Sequence, residues 1–284
     1  MADGGEGTLE ALRAGLGLEI QRTTAEDPLG RQIAAPFGVG GGVALVETAA
    51  ASGIGLVAPD ERDAFAASTF GTGELIRAAV DAGASVVYVA VGGSATTDGG
   101  AGAVRAIRRG GGLGGARLVV LCDVRTPFEH AAQVFGPQKG ADPPTVARLT
   151  KRLHALARRL KRDPRGVPMT GAAGGLAGGL WAEFGAELIA GAPFVLETLE
   201  FDRRMRAARA VVTGEGKLDQ QSLAGKLVSE VATRARQSGV PCYAVVGVRE
   251  LDSFGARILD LQAVLEAGTL AALEAAGERL VELM

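Results

Sequence analysis

Ser85-Val86-Val87-Tyr88-Val89-Ala90-Val91-Gly92-Gly93-Ser94-Ala95-Thr96-Thr97-Asp98-Gly99-Gly100-Ala101-Gly102 decides the fold class. Its first third is a short, continuous, β-branched run, which suits a strand buried on both faces of a parallel sheet. The run ends in glycines and hydroxyls, and Val104 to Arg109 beyond them can be helical. Strand, tight turn and helix form the repeating unit of an α/β sheet. Outward from this stretch the pattern recurs. Val43 to Ala51, Arg117 to Cys122, Arg209 to Thr213 and Pro241 to Val248 read as further strands. Glu74 to Ala82 reads as a helix with Thr72 as N-cap, and Leu223 to about Gln237 as a helix capped by Ser222. Thr145 to Arg162 carries an apolar stripe of Val146, Leu149, Leu153, Leu156 and Leu160 at helical steps, with a basic, solvated opposite face. Pro28-Leu29-Gly30 marks a turn between Leu18–Thr24 and Arg31–Val39.

Composition narrows the function classes. The chain has 284 residues, 43 of them glycine, and a formal net charge of −2. The glycine content is about twice the usual ~7%. It lacks the G-X-Y period of collagen. Near-neutral charge and 4% aromatics argue against nucleic acid as a partner. No apolar run reaches the ~18 residues of a membrane span, and with no basic or apolar stretch after Met1 no signal peptide is expected. Cys122 and Cys242 are isolated in apolar runs, as expected of reduced thiols in the cytoplasm.

The glycines concentrate where chemistry is expected. In Gly92 to Gly102, glycines and hydroxyls at a strand-to-helix turn present backbone N–H groups to an anion. Gly214-Glu215-Gly216-Lys217-Leu218-Asp219-Gln220-Gln221-Ser222-Leu223-Ala224-Gly225-Lys226 reads as a second Gly-rich turn after a strand. It combines amides, a lysine near a helix start, and carboxylates suited to a metal, without matching a Walker A loop. Only five of the 30 basic residues are lysine, and Lys139, Lys217 and Lys226 all lie in Gly-rich motifs. A compact ammonium there suits phosphate. Asp3-Gly4-Gly5-Glu6-Gly7-Thr8 puts two acids in a Gly-rich loop. Asp123 stands at the carboxyl end of a strand, where open α/β sheets bind ligands. Phe135-Gly136-Pro137-Gln138-Lys139-Gly140 offers an amide and an ammonium on a rigid turn. Gly171-Ala172-Ala173-Gly174-Gly175 fits either close helix packing or ligand contact.

These motifs, in this order, resemble the class I glycerate kinases over most of the chain, from its first residue to about Val248. Gly71-Thr72-Gly73-Glu74-Leu75-Ile76 adds to the match. The resemblance implies ATP-dependent phosphorylation of D-glycerate, most simply to 2-phosphoglycerate, by a cytoplasmic monomer or homodimer. It implies two α/β domains: a Rossmann-like parallel sheet formed by both chain ends (1–16 and 201–284) and an inserted α/β domain (17–200). Family sequences carry a strand, a Pro-Asp-Ser-Phe-Lys-like loop and a helix ahead of the Asp3–Thr8 motif. The chain starts at that motif, so its Rossmann-like sheet is expected to lack the family's first strand.

Roles follow from the parts. Gly92, Gly93, Ser94, Thr96, Gly214, Glu215, Gly216 and Ser222 are expected at the ATP phosphates. Asp219 and Glu215 are expected to hold Mg²⁺, and Lys226 the phosphate oxygens. Asp3, Glu6, Thr8, Asp123, Gln138 and Lys139 are expected at the substrate. Asp98 or Asp219 would accept the hydroxyl proton, and N-capping is the plainer alternative role that each acid's place before a helical pattern allows. Two other readings stay open: a catalytically impaired or non-catalytic relative binding nucleotide or a small acid, and a kinase of another small hydroxy acid.

Overall fold

The structure is a computed structural model in which residues 4–224 and 227–284 are described. They form two compact units, residues 4–194 and 195–284. The first contains α1 (Thr8–Leu12), β1 (Glu19–Glu26), β2 (Gln32–Gly40), β3 (Val43–Glu47), α2 (Ala49–Ser52), α3 (Phe70–Asp81), β4 (Val86–Ala90) and α4 (Ala101–Arg109). It continues with β5 (Arg117–Cys122), α5 (Ala131–Phe135), α6 (Pro143–Ala157), α7 (Ala172–Phe184) and β6 (Glu187–Ala190). The boundary falls within α8 (Gly191–Thr198). The second unit holds α9 (Phe201–Arg206), β7 (Val211–Leu218), α10 (Leu227–Gln237), β8 (Cys242–Arg249), α11 (Ser253–Ile258), β9 (Leu261–Glu266) and α12 (Leu270–Leu283).

Among the described residues of the first unit, six strands form one sheet in sequential order from β1 to β6. β1, β2 and β3 pair antiparallel, and β3 to β6 pair parallel. Strand alternation sends Val87, Val89, Leu118 and Val120 to one face, where they pack with Leu75 and Ile76 of α3, Ile107 of α4 and Leu176 and Leu180 of α7. Leu45, Val119 and Leu121 point the other way and are buried as well. Burial on both faces is the reason these strands read as unbroken apolar runs. A satellite core joins Phe128, Ala131 and Ala132 to Leu149 and Leu153 on the stripe of α6.

The expected strand from Val43 stops at Glu47, and α2 occupies Ala49–Ser52. Alanine suits a helix as well as an apolar run suits a strand, so the pattern overran. The α3 helix begins at Phe70, ahead of the expected Thr72 cap. Thr72 lies inside it, bonded to Ser52 Oγ at 2.7 Å. Gly71 and Gly73 belong to this helix because neighbours crowd it. A Cβ at Gly71 would overlap the Glu26 carbonyl oxygen, and one at Gly73 would lie 2.5 Å from the Ala103 oxygen. We expect Gly71→Ala to destabilise the protein by about 3 kcal/mol in urea unfolding, since backbone on both sides must move. An unchanged midpoint would show that the helix can shift freely. The α6 helix begins at Pro143, with Asp142 accepting from Thr145 N at 2.9 Å, and ends at Ala157, short of the expected Arg162.

The C-terminal unit is a parallel three-stranded sheet among its described residues, ordered β7-β8-β9. Val228, Val231, Ala232 and Ala235 of α10 are buried, as are Ala244 and Val246 of β8. Residues 4–16 cluster with the first unit. Leu9 N donates to Glu47 Oε1 at 2.8 Å, and Gly92 N to the Gly4 oxygen at 3.1 Å.

Candidate active site

The parallel register of β3, β4 and β5 sets Glu47, Ala90 and Leu121 level with one another. Their carboxyl ends therefore deliver the following residues to one rim, the usual ligand-binding edge of such a sheet. A cavity of about 300 Å³ opens there, lined by Gly92, Gly93, Ser94, Asp123, Gln138 and Lys139 together with Ile54, Val91, Val124, Phe135 and Ala173.

Lys139 is the organising charge. Pro137 opens a single 3₁₀ turn, and Gly140, at φ +87°, closes it. This tight turn directs Lys139 inward, where it is only 3% exposed. Its ammonium donates to Ser94 Oγ at 2.9 Å and to the Thr96 carbonyl oxygen at 2.6 Å. An ammonium has three donors, and the third has no protein acceptor among the described residues. Burial pulls its pKa from 10.5 down to about 7, against a smaller upward pull from Asp98. A buried lysine poised between charge states beside a cavity is a site signature.

The Gly4–Thr8 loop packs against Gly92 of this lining. A Cβ at Gly92 would overlap Gly5 Cα, and one at Gly4 would lie 2.7 Å from the Leu121 oxygen, so only glycine permits the approach. Thr8 spends its hydroxyl on the loop, donating to the Gly5 oxygen at 2.7 Å and accepting from Gly4 N at 3.3 Å. It shapes the loop rather than facing the cavity. Glu6 stands by Gly93, whose Cβ, if present, would lie 3.8 Å from Glu6 Oε2. Glu47 fastens the loop from below. Burial raises its carboxyl pKa, opposed by hydrogen bonds from the Leu9, Gly7 and Thr8 amides. The apolar run from Val43 reads on past Glu47 as strand and hides its role; a lone acid closing that run is the signal for it.

Asp98 lies in the same Gly-rich loop but faces elsewhere. Its carboxylate accepts from Thr69 N at 3.0 Å, Thr69 Oγ1 at 2.9 Å, Gly100 N at 3.0 Å and Gly102 N at 3.0 Å. It thereby ties together the starts of α3 and α4. Four accepted bonds use the capacity of two carboxylate oxygens, which is a capping arrangement. Thr96 is fully buried, and its Oγ1 has no hydrogen-bond partner among the described residues. Gly174 and Gly175, both at positive φ, let α7 approach this loop. Gly99 N donates to the Gly174 oxygen at 3.0 Å, and Ala173 reaches the cavity.

The second motif departs from expectation. Gly214, Glu215, Gly216 and Lys217 continue β7 and pair with β8 instead of forming a turn. Glycine serves close strand approach here: a Cβ at Gly214 would overlap the Val245 oxygen, and one at Gly247 would lie 2.6 Å from the Gly216 oxygen. The turn starts at Asp219, where Ser222 Oγ accepts from Asp219 N at 3.1 Å and Ser222 N donates to the Asp219 oxygen at 3.0 Å. A 3₁₀ turn over Gln220–Ala224 replaces the expected first helical turn. Lys217 pairs with Glu250 at 2.8 Å on the surface, which holds its pKa above the ordinary value. Asp3 and Lys226 lie outside the described residues. Among the described residues no group of three or more His, Cys, Asp or Glu is arranged to hold a metal, and no helix is long and apolar enough to cross a membrane.

Comparison with known proteins adds to this geometry. The model for the glycerate kinase family matches residues 1–110 and 111–277. The chain is 37% identical to the glycerate kinase of Halalkalibacterium halodurans, over 87% of this chain and 75% of that one. It is 36% identical to the glycerate 2-kinase of Escherichia coli, over 87% of this chain and 74% of that one. A solved structure of a protein assigned as glycerate kinase 2 from Salmonella typhimurium LT2 superposes with a TM-score of 0.75 at 36% identity. That match covers 98% of this chain and 84% of the other.

Proposed function

The chain belongs to the glycerate kinase family, and from that premise we propose that it is a cytoplasmic kinase transferring the γ-phosphoryl group of ATP to D-glycerate, giving 2-phosphoglycerate and ADP. The observation that carries this reading is Lys139, a buried ammonium with two protein acceptors and a third donor left for a ligand, at the carboxyl ends of parallel strands. A small carboxylate fits that role. The cavity of about 300 Å³ suits a three-carbon acid, with Gln138 at the rim and Asp123 on the wall. Asp123 is the carboxylate of the cavity lining and takes the base role there. The substrate 2-hydroxyl oxygen attacks the γ-phosphorus, the bond from phosphorus to the ADP oxygen breaks, and the hydroxyl proton passes to Asp123. Phosphoryl transfer needs positioning and charge neutralisation above all. The fixed ammonium and the Gly-rich backbone supply these without reorganisation.

In the C-terminal unit, Glu215 and Asp219 offer oxygen donors suited to Mg²⁺, with neither thiol nor imidazole. Mg²⁺ needs only one or two carboxylates when phosphate oxygens complete its shell. When bound, it neutralises the developing phosphate charge. Lys226, outside the described residues, keeps its expected role at the phosphates. Both cysteines are buried free thiols, which suits a reducing compartment.

The test is ADP release by this chain with MgATP and D-glycerate, and identification of the product by phosphorus NMR. Glycerate-dependent ADP with a 2-phosphate product is expected. Nucleotide and glycerate binding without ADP formation would leave the non-catalytic reading standing. Faster turnover of another hydroxy acid would move the substrate assignment.

A further inference from the structure

The first unit carries a second concavity that the proposed reaction does not use. Two adjoining cavities of about 370 Å³ each lie along α4 and α6, sharing Ala101, Arg105, Leu156 and Arg159. The first is lined by Arg105, Arg152 and Arg159 with Ser68, Asp98 and Gly102.

Its charge is unbalanced. Arg105 stacks over the Phe70 ring at 5.3 Å. Among the described residues neither Arg105 nor Arg159 is paired with a carboxylate. Asp98, the acid of this lining, has its oxygens committed to Thr69, Gly100 and Gly102. In the adjoining cavity Glu183 is paired with Arg108 and accepts from Lys161 N at 3.0 Å. Arg152 is held rigidly: it donates to the Phe65 and Thr97 carbonyl oxygens, each at 2.6 Å, and lies over the Phe65 ring at 4.6 Å. Its buried Nε has no partner among the described residues. Three guanidiniums, one of them pre-positioned, around a cavity with no spare carboxylate match a phosphate-bearing anion.

The same arginine reaches the active site. Arg152 grips the carbonyl of Thr97, and the carbonyl of the preceding Thr96 accepts from Lys139. We propose that this arginine-lined cavity is an effector site for a small phosphate-bearing anion, whose occupancy holds Arg152 against Thr97 and thereby steadies the Thr96–Lys139 contact. The binding half stands by itself. The coupling half rests on the reading of Lys139 as the substrate anchor.

The probe is inorganic phosphate, with 2-phosphoglycerate as a second probe for an ester source. Lys139→Met removes the active-site ammonium, so the share of phosphate binding by that variant that depends on Arg105 and Arg159 reports the arginine cavity. Titration calorimetry is expected to show phosphate binding to Lys139→Met that weakens at least tenfold when Arg105→Gln and Arg159→Gln are added. Both arginines are exposed, and glutamine keeps much of the stem packing, so the variants should fold. Equal phosphate affinity with and without the arginines would overturn the site. For coupling, millimolar phosphate should lower KM for glycerate at least twofold in the wild type, against potassium chloride of equal ionic strength. That change should vanish in Arg105→Gln/Arg159→Gln while its basal turnover stays normal. A KM response identical in both proteins, or matched by the chloride, would overturn the coupling. Loss of glycerate turnover with phosphate binding intact would count against the proposed reaction and not against the cavity.

Discussion

Lys139→Met is expected to lower kcat/KM for glycerate by about 10²- to 10³-fold, the range set by removing one partner of a buried, hydrogen-bonded charge pair. Methionine has a similar reach, so the loss reports charge more than shape. The pH dependence sharpens the test. The Lys139 ammonium is needed to hold a carboxylate, and burial brings its pKa from 10.5 to about 7. The wild-type kcat/KM should therefore fall as pH rises above about 7, and the variant should lack that limb. The charges around the ammonium are Asp98 and Asp123, with Arg62 and Asp63 in the small cavity behind it. Stability should run the other way. Between about pH 7 and 10.5 the unfolded chain keeps a proton that the folded protein has released, so this group's contribution to stability grows with pH, by a few kcal/mol at most. Below about pH 7 both states are protonated and the full penalty for the buried charge applies. Lys139→Met should flatten that slope and unfold no more readily than the wild type near pH 7. A variant with normal kcat/KM at every pH would remove Lys139 from substrate binding.

Much of this arrangement is written locally. Arg117–Cys122 is the strand that its β-branched run predicts, and Asp123 follows at the expected edge. The Lys139 turn is legible because Pro137 and Gly140 leave the backbone little choice. What escapes local reading is decided by partners distant in sequence. β1 and β2 pair from Glu19↔Val39 to Glu26↔Gln32, yet Pro36, Gly38 and Gly40 break the alternation that would announce a strand. Gly38 and Gly40 are there because Leu9 and Gly17 press against them, a tertiary requirement invisible in the run itself. The same ambiguity applies to Gly214. Glycine marks close approach as readily as a turn, and here the approach is that of β8 to β7. Asp98 shows the converse for chemistry. An acid in a Gly-rich loop reads as a base until its four donors are known, and two of them come from Thr69, 29 residues away.

Asp123→Asn is expected to reduce kcat for glycerate phosphorylation by about 10²- to 10⁴-fold, the usual contribution of a positioned general base. The amide keeps size and hydrogen bonding but cannot take the proton, so KM should move far less than kcat. A comparison with Asp98→Asn separates proton transfer from architecture. Asp98 holds the starts of α3 and α4 with both oxygens. An amide there loses acceptors while burying an N–H₂ against donors, which should cost about 1–3 kcal/mol of stability. The Asp98 variant should therefore unfold at lower urea while its folded fraction keeps most of its kcat. The Asp123 variant should keep its unfolding midpoint and lose its turnover. If Asp123→Asn turns over normally and Asp219→Asn does not, the proton acceptor is Asp219, and Asp123 serves only to shape the cavity.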